Sequence, residues 1–205
     1  MKTKTKVLIL FLCAVLLVVT SVYVTMAFLT SEDSVKNTFT VGKVDITIDE
    51  SAVNSDGTVI DDADRVEANE YHLIPGHFYV KDPIIHVDAN SEDCWLFVKL
   101  NNGLKDIIAG ESIEAQMADN GWTLIDPDKN VWAYDEVVSK NSDIPVFESF
   151  TLSDDADISN YATVKDADGN VTGGKTIDIV AYAVQYDGFE SGAADAWTAT
   201  FGANN

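Results

Sequence analysis

A chain of 205 residues and 22.3 kDa with 4 Trp, 7 Tyr and 9 Phe has apolar material for one domain with a core, and its composition is not that of a disordered protein. A formal net charge of −21 and a pI of about 4.1 oppose binding to nucleic acid or to an anionic membrane surface. The same charge favours solubility and makes copies repel one another at low salt.

Residues 1–27 read as an export signal. Lys2, Lys4 and Lys6 form a positive start, Val7 to Val19 is an almost unbroken apolar run, and Thr25-Met26-Ala27 has the form of a signal-peptidase site. Cleavage is expected between Ala27 and Phe28. The alternative is a retained N-terminal anchor, because the apolar run is nearly long enough to span a bilayer. Leu12 before Cys13 departs from the lipoprotein pattern. Cys13 would leave with the signal, so Cys94 would be alone and no intramolecular disulfide is expected. Beside Trp95, at the head of an apolar run, Cys94 reads as a buried thiol. An intermolecular disulfide is the alternative.

Phe28 to about Thr40 is a mostly polar arm without proline, and its apolar residues include Phe28, Leu29, Val35 and Phe39. Residues 41–205 read as a single domain. Val44, Ile46 and Ile48 alternate with polar residues, the period of a half-buried strand. Residues 49–70 are acidic and polar and read as a surface excursion, with Asp56-Gly57 as a turn. Tyr71 to Ile74 reads as a short strand ending at a Pro75-Gly76 turn. After Asp82-Pro83 a strand is expected with Ile85 and Val87 on one face and Ile84 and His86 on the other. Cys94 to Leu100 is nearly continuous apolar sequence and the candidate centre of the core.

Ser112 to Asp119 has weak helical spacing through Ile113 and Met117, stopped by Asn120-Gly121. Trp122 to Ile125 and Val131 to Tyr134 flank Asp126 to Asn130 as a hairpin. Ile144-Pro145 interrupts the pattern, and Val146 to Leu152 reads as a further strand. Asp166 to Asn170 is a turn before the long β-branched strand Thr176 to Gln185. Ala193 to Phe201 suits a short helix, with Ala194 and Trp197 spaced to pack together. Roughly eight to ten short strands, at most two short helices and no strand–helix alternation define an all-β class: an antiparallel β-sandwich or jelly roll.

Few residue patterns in the sequence point to catalytic chemistry. The histidines are His72, His77 and His86; no His-Glu-x-x-His occurs, and His72 and His77 lie across a Pro-Gly turn with poor ligand spacing. There is no Gly-x-Ser-x-Gly, no phosphate-binding glycine loop and no recognisable nucleophile–base pair, so no enzyme is expected. Asp166, Asp168 and Asn170 around Gly169 resemble part of a calcium loop. The full EF-hand pattern is missing, and Asp-Gly is also an ordinary hairpin turn. Calcium is the one cofactor the sequence suggests; otherwise none is expected.

Several segments, in order, resemble the TasA/camelysin family of secreted Gram-positive proteins with a SipW-type signal peptide. They are Thr25-Met26-Ala27-Phe28-Leu29-Thr30, Asn37-Thr38-Phe39-Thr40-Val41-Gly42 and Val44-Asp45-Ile46. Leu73-Ile74-Pro75-Gly76, Lys81-Asp82-Pro83 and the run Asn90 to Lys99 follow. Pro145-Val146-Phe147, Ala181 to Gln185 and Ala196-Trp197 complete the set. The resemblance implies a jelly-roll sandwich, removal of the leader by a SipW-type signal peptidase, and export to the biofilm matrix or cell surface of a Gram-positive bacterium. For fibre-forming members it implies self-association into filaments by donor-strand exchange, the arm of one subunit completing the sheet of the next. Carried over, the donor segment is Phe28 to about Thr40, with Phe28, Leu29, Val35 and Phe39 as its apolar residues. Camelysin-like members are described as surface metalloproteases, but this chain lacks a zinc motif. The competing readings are a matrix fibre subunit, a cell-surface metalloprotease and a non-polymerising adhesin module.

Overall fold

The computed structural model describes residues 43–161, 164–165 and 171–202. Within them, β1 (Ile46–Asp49), β3 (Ile84–Val87) and β8 (Asp143–Pro145) form one sheet in the order β1-β3-β8. A second sheet has β2 (Phe78–Val80), β9 (Ser149–Leu152) and β5 (Ile108–Ala109) in the order β2-β9-β5. The third runs β12 (Ile177–Gln185), β4 (Cys94–Asn102), β7 (Val131–Tyr134), β6 (Trp122–Asp126). A separate pair joins β10 (Val164–Lys165) to β11 (Val171–Gly173). All these ladders are antiparallel. Two helices, α1 (Ile113–Asp119) and α2 (Ala193–Phe201), complete the regular structure with two single 3₁₀ turns. Among the described residues no helix is long and apolar enough to cross a membrane.

The main core draws Leu96 and Val98 from the third sheet, Ile46, Ile85 and Val87 from the first, and Tyr79, Phe150 and Leu152 from the second. The sheets therefore meet across shared apolar contacts, and the fold is all-β and sandwich-like. Along β3 the pleat turns Ile85 and Val87 inward and leaves Ile84 and His86 partly exposed, as alternation requires. On β4, Cys94, Leu96, Val98 and Leu100 enter the main core. Trp95 and Phe97 point the other way, into a second cluster with Val131, Ala133, Val184, Ala196 and Trp197. β4 is thus covered on both faces, which is why its sequence is continuously apolar.

In α1, the Ser112 side chain accepts the Ala115 N–H, capping a helix that buries Ile113 and Met117. The chain leaves α1 through Gly121 at φ +85, where a side chain would be strained. Gly57 has a stricter requirement. Its φ is +80, and an added Cβ would lie 2.5 Å from Tyr79 Cδ1.

Five expectations are corrected. Tyr71 to Ile74 is not a strand. The Tyr79 hydroxyl accepts the Ile74 N–H and donates to the His72 carbonyl, both at 2.7 Å, so this backbone is satisfied by a side chain instead of a ladder. The strand begins after the Pro-Gly turn, at Phe78. Ile144-Pro145 lies in a strand, β8, because an edge position tolerates a residue with no N–H to donate. The strand expected over Val146 to Leu152 is confined to Ser149–Leu152. On α2, Ala194 is exposed while Ala196 and Trp197 are buried, because the sheet beneath selects the buried face. The described strands number twelve, more than the eight to ten expected, since several pairings involve only two or three residues.

Candidate functional site

Two features stand out among the described residues: an open edge on the largest sheet and a charged cluster beside β1. The edge belongs to β12, which pairs with β4 and has no strand neighbour on its other side among the described residues. Gly103 N–H donates to Thr176 O at 2.8 Å and Tyr186 N–H to Asp93 O at 2.7 Å, in line with the Ile177↔Asn102 to Gln185↔Cys94 register. In an antiparallel ladder bonded pairs alternate, so even-numbered residues of β12 bond to β4. Ile177, Ile179, Ala181, Ala183 and Gln185 turn their N–H and C=O groups away from it. The side chains of Ile177, Ile179 and Ala181 lie on the main-core side and are only partly buried, whereas Ala183 is fully buried. Among the described residues the edge therefore offers backbone groups without a strand partner and incompletely covered core. β1 approaches β12 to within 8 Å between Cα atoms, so the two strands lie close beside this opening.

The chain enters β1 through a well-tied root. Glu92 N–H donates to Lys43 O at 3.0 Å, Ser91 Oγ accepts the Asp45 N–H and donates to the Asp45 carbonyl, each at 3.0 Å, and Val44 is buried.

At the other end of β1 lies the charged cluster. Arg65, the sole arginine of the sequence, donates Nε–H to Asp49 Oδ1 at 2.5 Å and Nη1–H to Asp82 Oδ2 at 3.1 Å. Its Nη2 donates to the carbonyls of Asp49 and Asp82 at 3.2 and 2.8 Å. Asp82 also accepts the Ser51 N–H and hydroxyl. His86 places Nε2 3.0 Å from Asp49 Oδ1 and Nδ1 2.7 Å from Asp143 Oδ1. Burial alone would raise the Asp49 carboxyl; hydrogen bonds from Arg65 and His86, with their charges, outweigh it and hold the carboxyl below its ordinary value. For His86, burial acts to lower the imidazole, and the two aspartates outweigh it in the opposite direction.

The other groups are structural in their contacts. His77 Nε2 meets the Asp56 carbonyl at 2.7 Å, and His72 is exposed. Cys94 is buried, as read from the sequence; burial first, then the charge of Asp93, pushes its thiol up to about 12. Such a thiol is a poor nucleophile. No group of three or more His, Cys, Asp or Glu among the described residues is placed to hold a metal ion. A shallow cavity of about 200 Å³ beside Gly110, Gln116 and Thr151 is smaller than the usual small-molecule site.

The cleavage pair Ala27 and Phe28, the arm residues Leu29, Val35 and Phe39, and the calcium candidates Asp166, Asp168 and Asn170 lie outside the described residues. The charged cluster escaped sequence reasoning. Its one available signal was a lone arginine among acids, and Asp49, Asp82, His86 and Asp143 have no local pattern that joins them. Comparison with protein-family models, curated proteins and solved structures finds no match to this chain.

Proposed function

We propose that this chain is a secreted structural protein of an extracellular biofilm matrix, a jelly-roll subunit of a fibre similar to the TasA/camelysin family. A SipW-type signal peptidase cuts between Ala27 and Phe28, and the freed arm Phe28 to about Thr40 adds as a strand to a neighbouring copy. The observation that supports this reading is the edge of β12: nine residues long, with Ile177, Ile179 and Ala181 only partly covered. A strand laid there would pair the outward backbone groups and complete the cover of the core. Head-to-tail addition does not close on itself and gives a filament. Protein beginning at Phe28 should form filaments visible by electron microscopy. Protein lacking Phe28 to Thr38 should remain a folded monomer that caps intact filaments. Filaments of normal length from the deleted protein would rule out donation by this arm.

A further inference from the structure

His86 lies on β3, the middle strand of its sheet, with β1 on one side and β8 on the other. Thr47 and Asp143 are its register partners. Each ring nitrogen meets a carboxylate: Nε2 lies 3.0 Å from Asp49 and Nδ1 2.7 Å from Asp143. A neutral imidazole has one N–H and one lone pair, so it can donate to only one of them; the imidazolium donates to both. We propose that His86 is a pH-operated clasp, which when protonated ties β1 and β8 to β3 and when neutral lets go of β8.

The direction of release follows from what else holds each carboxylate. Asp49 is fixed from behind by Arg65, which also grips Asp82. Asp143 has a side chain 70% exposed and can turn into water. The neutral ring therefore keeps its N–H on Asp49, and the Nδ1 lone pair then faces Asp143 and repels it. The charged groups around the ring are Asp49 with Arg65 and Asp82 behind it, and Asp143 from β8; Thr47 is neutral. Among the described residues β8 has only three residues and β3 is its only strand partner, helped by Val87 N–H to Ser142 O and Asn141 N–H to Val87 O, each 2.9 Å; Trp122 Nε1–H to Pro145 O at 2.9 Å and buried Ile144 hold its far end, so release is local to Asp143 and the turn before it. Its release there would uncover the edge of β3. Both aspartates act to raise the imidazole above its ordinary 6.5. The clasp is thus fully closed below that value and opens as pH rises through the raised one. The device is a property of one subunit and is independent of the fibre reading.

The test is hydrogen exchange of the segment 139–146 in the whole chain, corrected for intrinsic rates, between about pH 5 and pH 9. NMR titration of the His86 ring accompanies it. The ring should titrate above 6.5, and exchange in 139–146 should accelerate several-fold through the same transition while 44–49 stays protected. His86→Gln should abolish the pH dependence. Should that variant fail to fold, Asp143→Asn keeps the imidazole and should bring its titration down and flatten the exchange profile. A ring titrating at or below 6.5, pH-independent exchange in the native chain, or an unchanged profile in a folded variant would overturn the clasp.

Discussion

Glu50 and Lys81 show what a single residue does here. Glu50 is 3% exposed, yet both its oxygens are engaged: Lys81 Nζ lies 2.5 Å from Oε2, and Asn69 Nδ2 donates to Oε1 at 2.9 Å. The backbone of Glu50 pairs with Val66 at 2.8 Å in both directions, so the acidic excursion is stitched back onto the end of β1. Removing one partner of a buried ion pair leaves the other charge unscreened, and the loss exceeds what the pair contributed. Lys81→Ala should therefore lower stability by about 3 kcal/mol, read as a shift of the urea midpoint with an unchanged slope. Glu50→Gln combined with Lys81→Met should recover much of that, because no lone charge is left. An unaltered midpoint for Lys81→Ala would mean that Glu50 is solvated. From sequence, Glu50 looks like any other acid at the start of a polar stretch; its burial depends on a lysine 31 positions away.

At the scale of elements, α2 covers the outer face of β4. Trp197 packs on Phe97, Tyr182 and Phe201, with ring centroids 5.2, 5.4 and 4.6 Å away. Trp95 donates Nε1–H to the Phe189 carbonyl at 3.0 Å, tying the approach to α2 onto the same face. Trp197→Ala should cost roughly 3–5 kcal/mol and weaken the near-ultraviolet circular dichroism, with the main core between the sheets still formed. A loss below about 1 kcal/mol would show that the helix is dispensable cover. The existence of α2 and the burial of Trp197 were legible; that Ala196 and not Ala194 lies buried beside it was not. The spacing of Ala194 and Trp197 satisfies a helix seen alone, but the faces of β4 and β12 choose Ala196 and Trp197. β8 teaches the same lesson: a proline breaks a central strand and is admitted at an edge, and edge or centre is not a local property.

For the whole molecule, the dominant sequence-wide feature is its negative charge, −21 with a pI of about 4.1. The net −21 includes three lysines from residues 1–27, where no acid occurs, so the chain beyond Ala27 is more negative still. Like charges on neighbouring copies act over ~10 Å at 0.1 M salt. On the fibre reading, acid pH and divalent cations should both speed assembly of protein beginning at Phe28, measured by light scattering and microscopy. Equal responses to Mg²⁺ and Ca²⁺ would indicate general screening. A response to Ca²⁺ alone would favour Asp166, Asp168 and Asn170 as ligands. Assembly indifferent to Mg²⁺, Ca²⁺ and pH would remove the electrostatic argument.

What the sequence determined by itself is whatever depends on neighbours along the chain. Alternation at Ile46 and Ile48 and at Ile85 and Val87 marked strands, because the pleat has a period of two. The apolar run from Cys94 marked the centre of the core, and Ser112 with Asn120-Gly121 bounded α1. Tertiary structure alone decided which strands are neighbours, and therefore which strand stands at the edge among the described residues. It also brought Asp49, Arg65, Asp82, His86 and Asp143 together. Their contacts join positions up to 57 apart, and the ladder register that aligns them is set by sheet packing over long loops. Side-chain periodicity tells which way a residue points; only the assembled sheets tell what it points at.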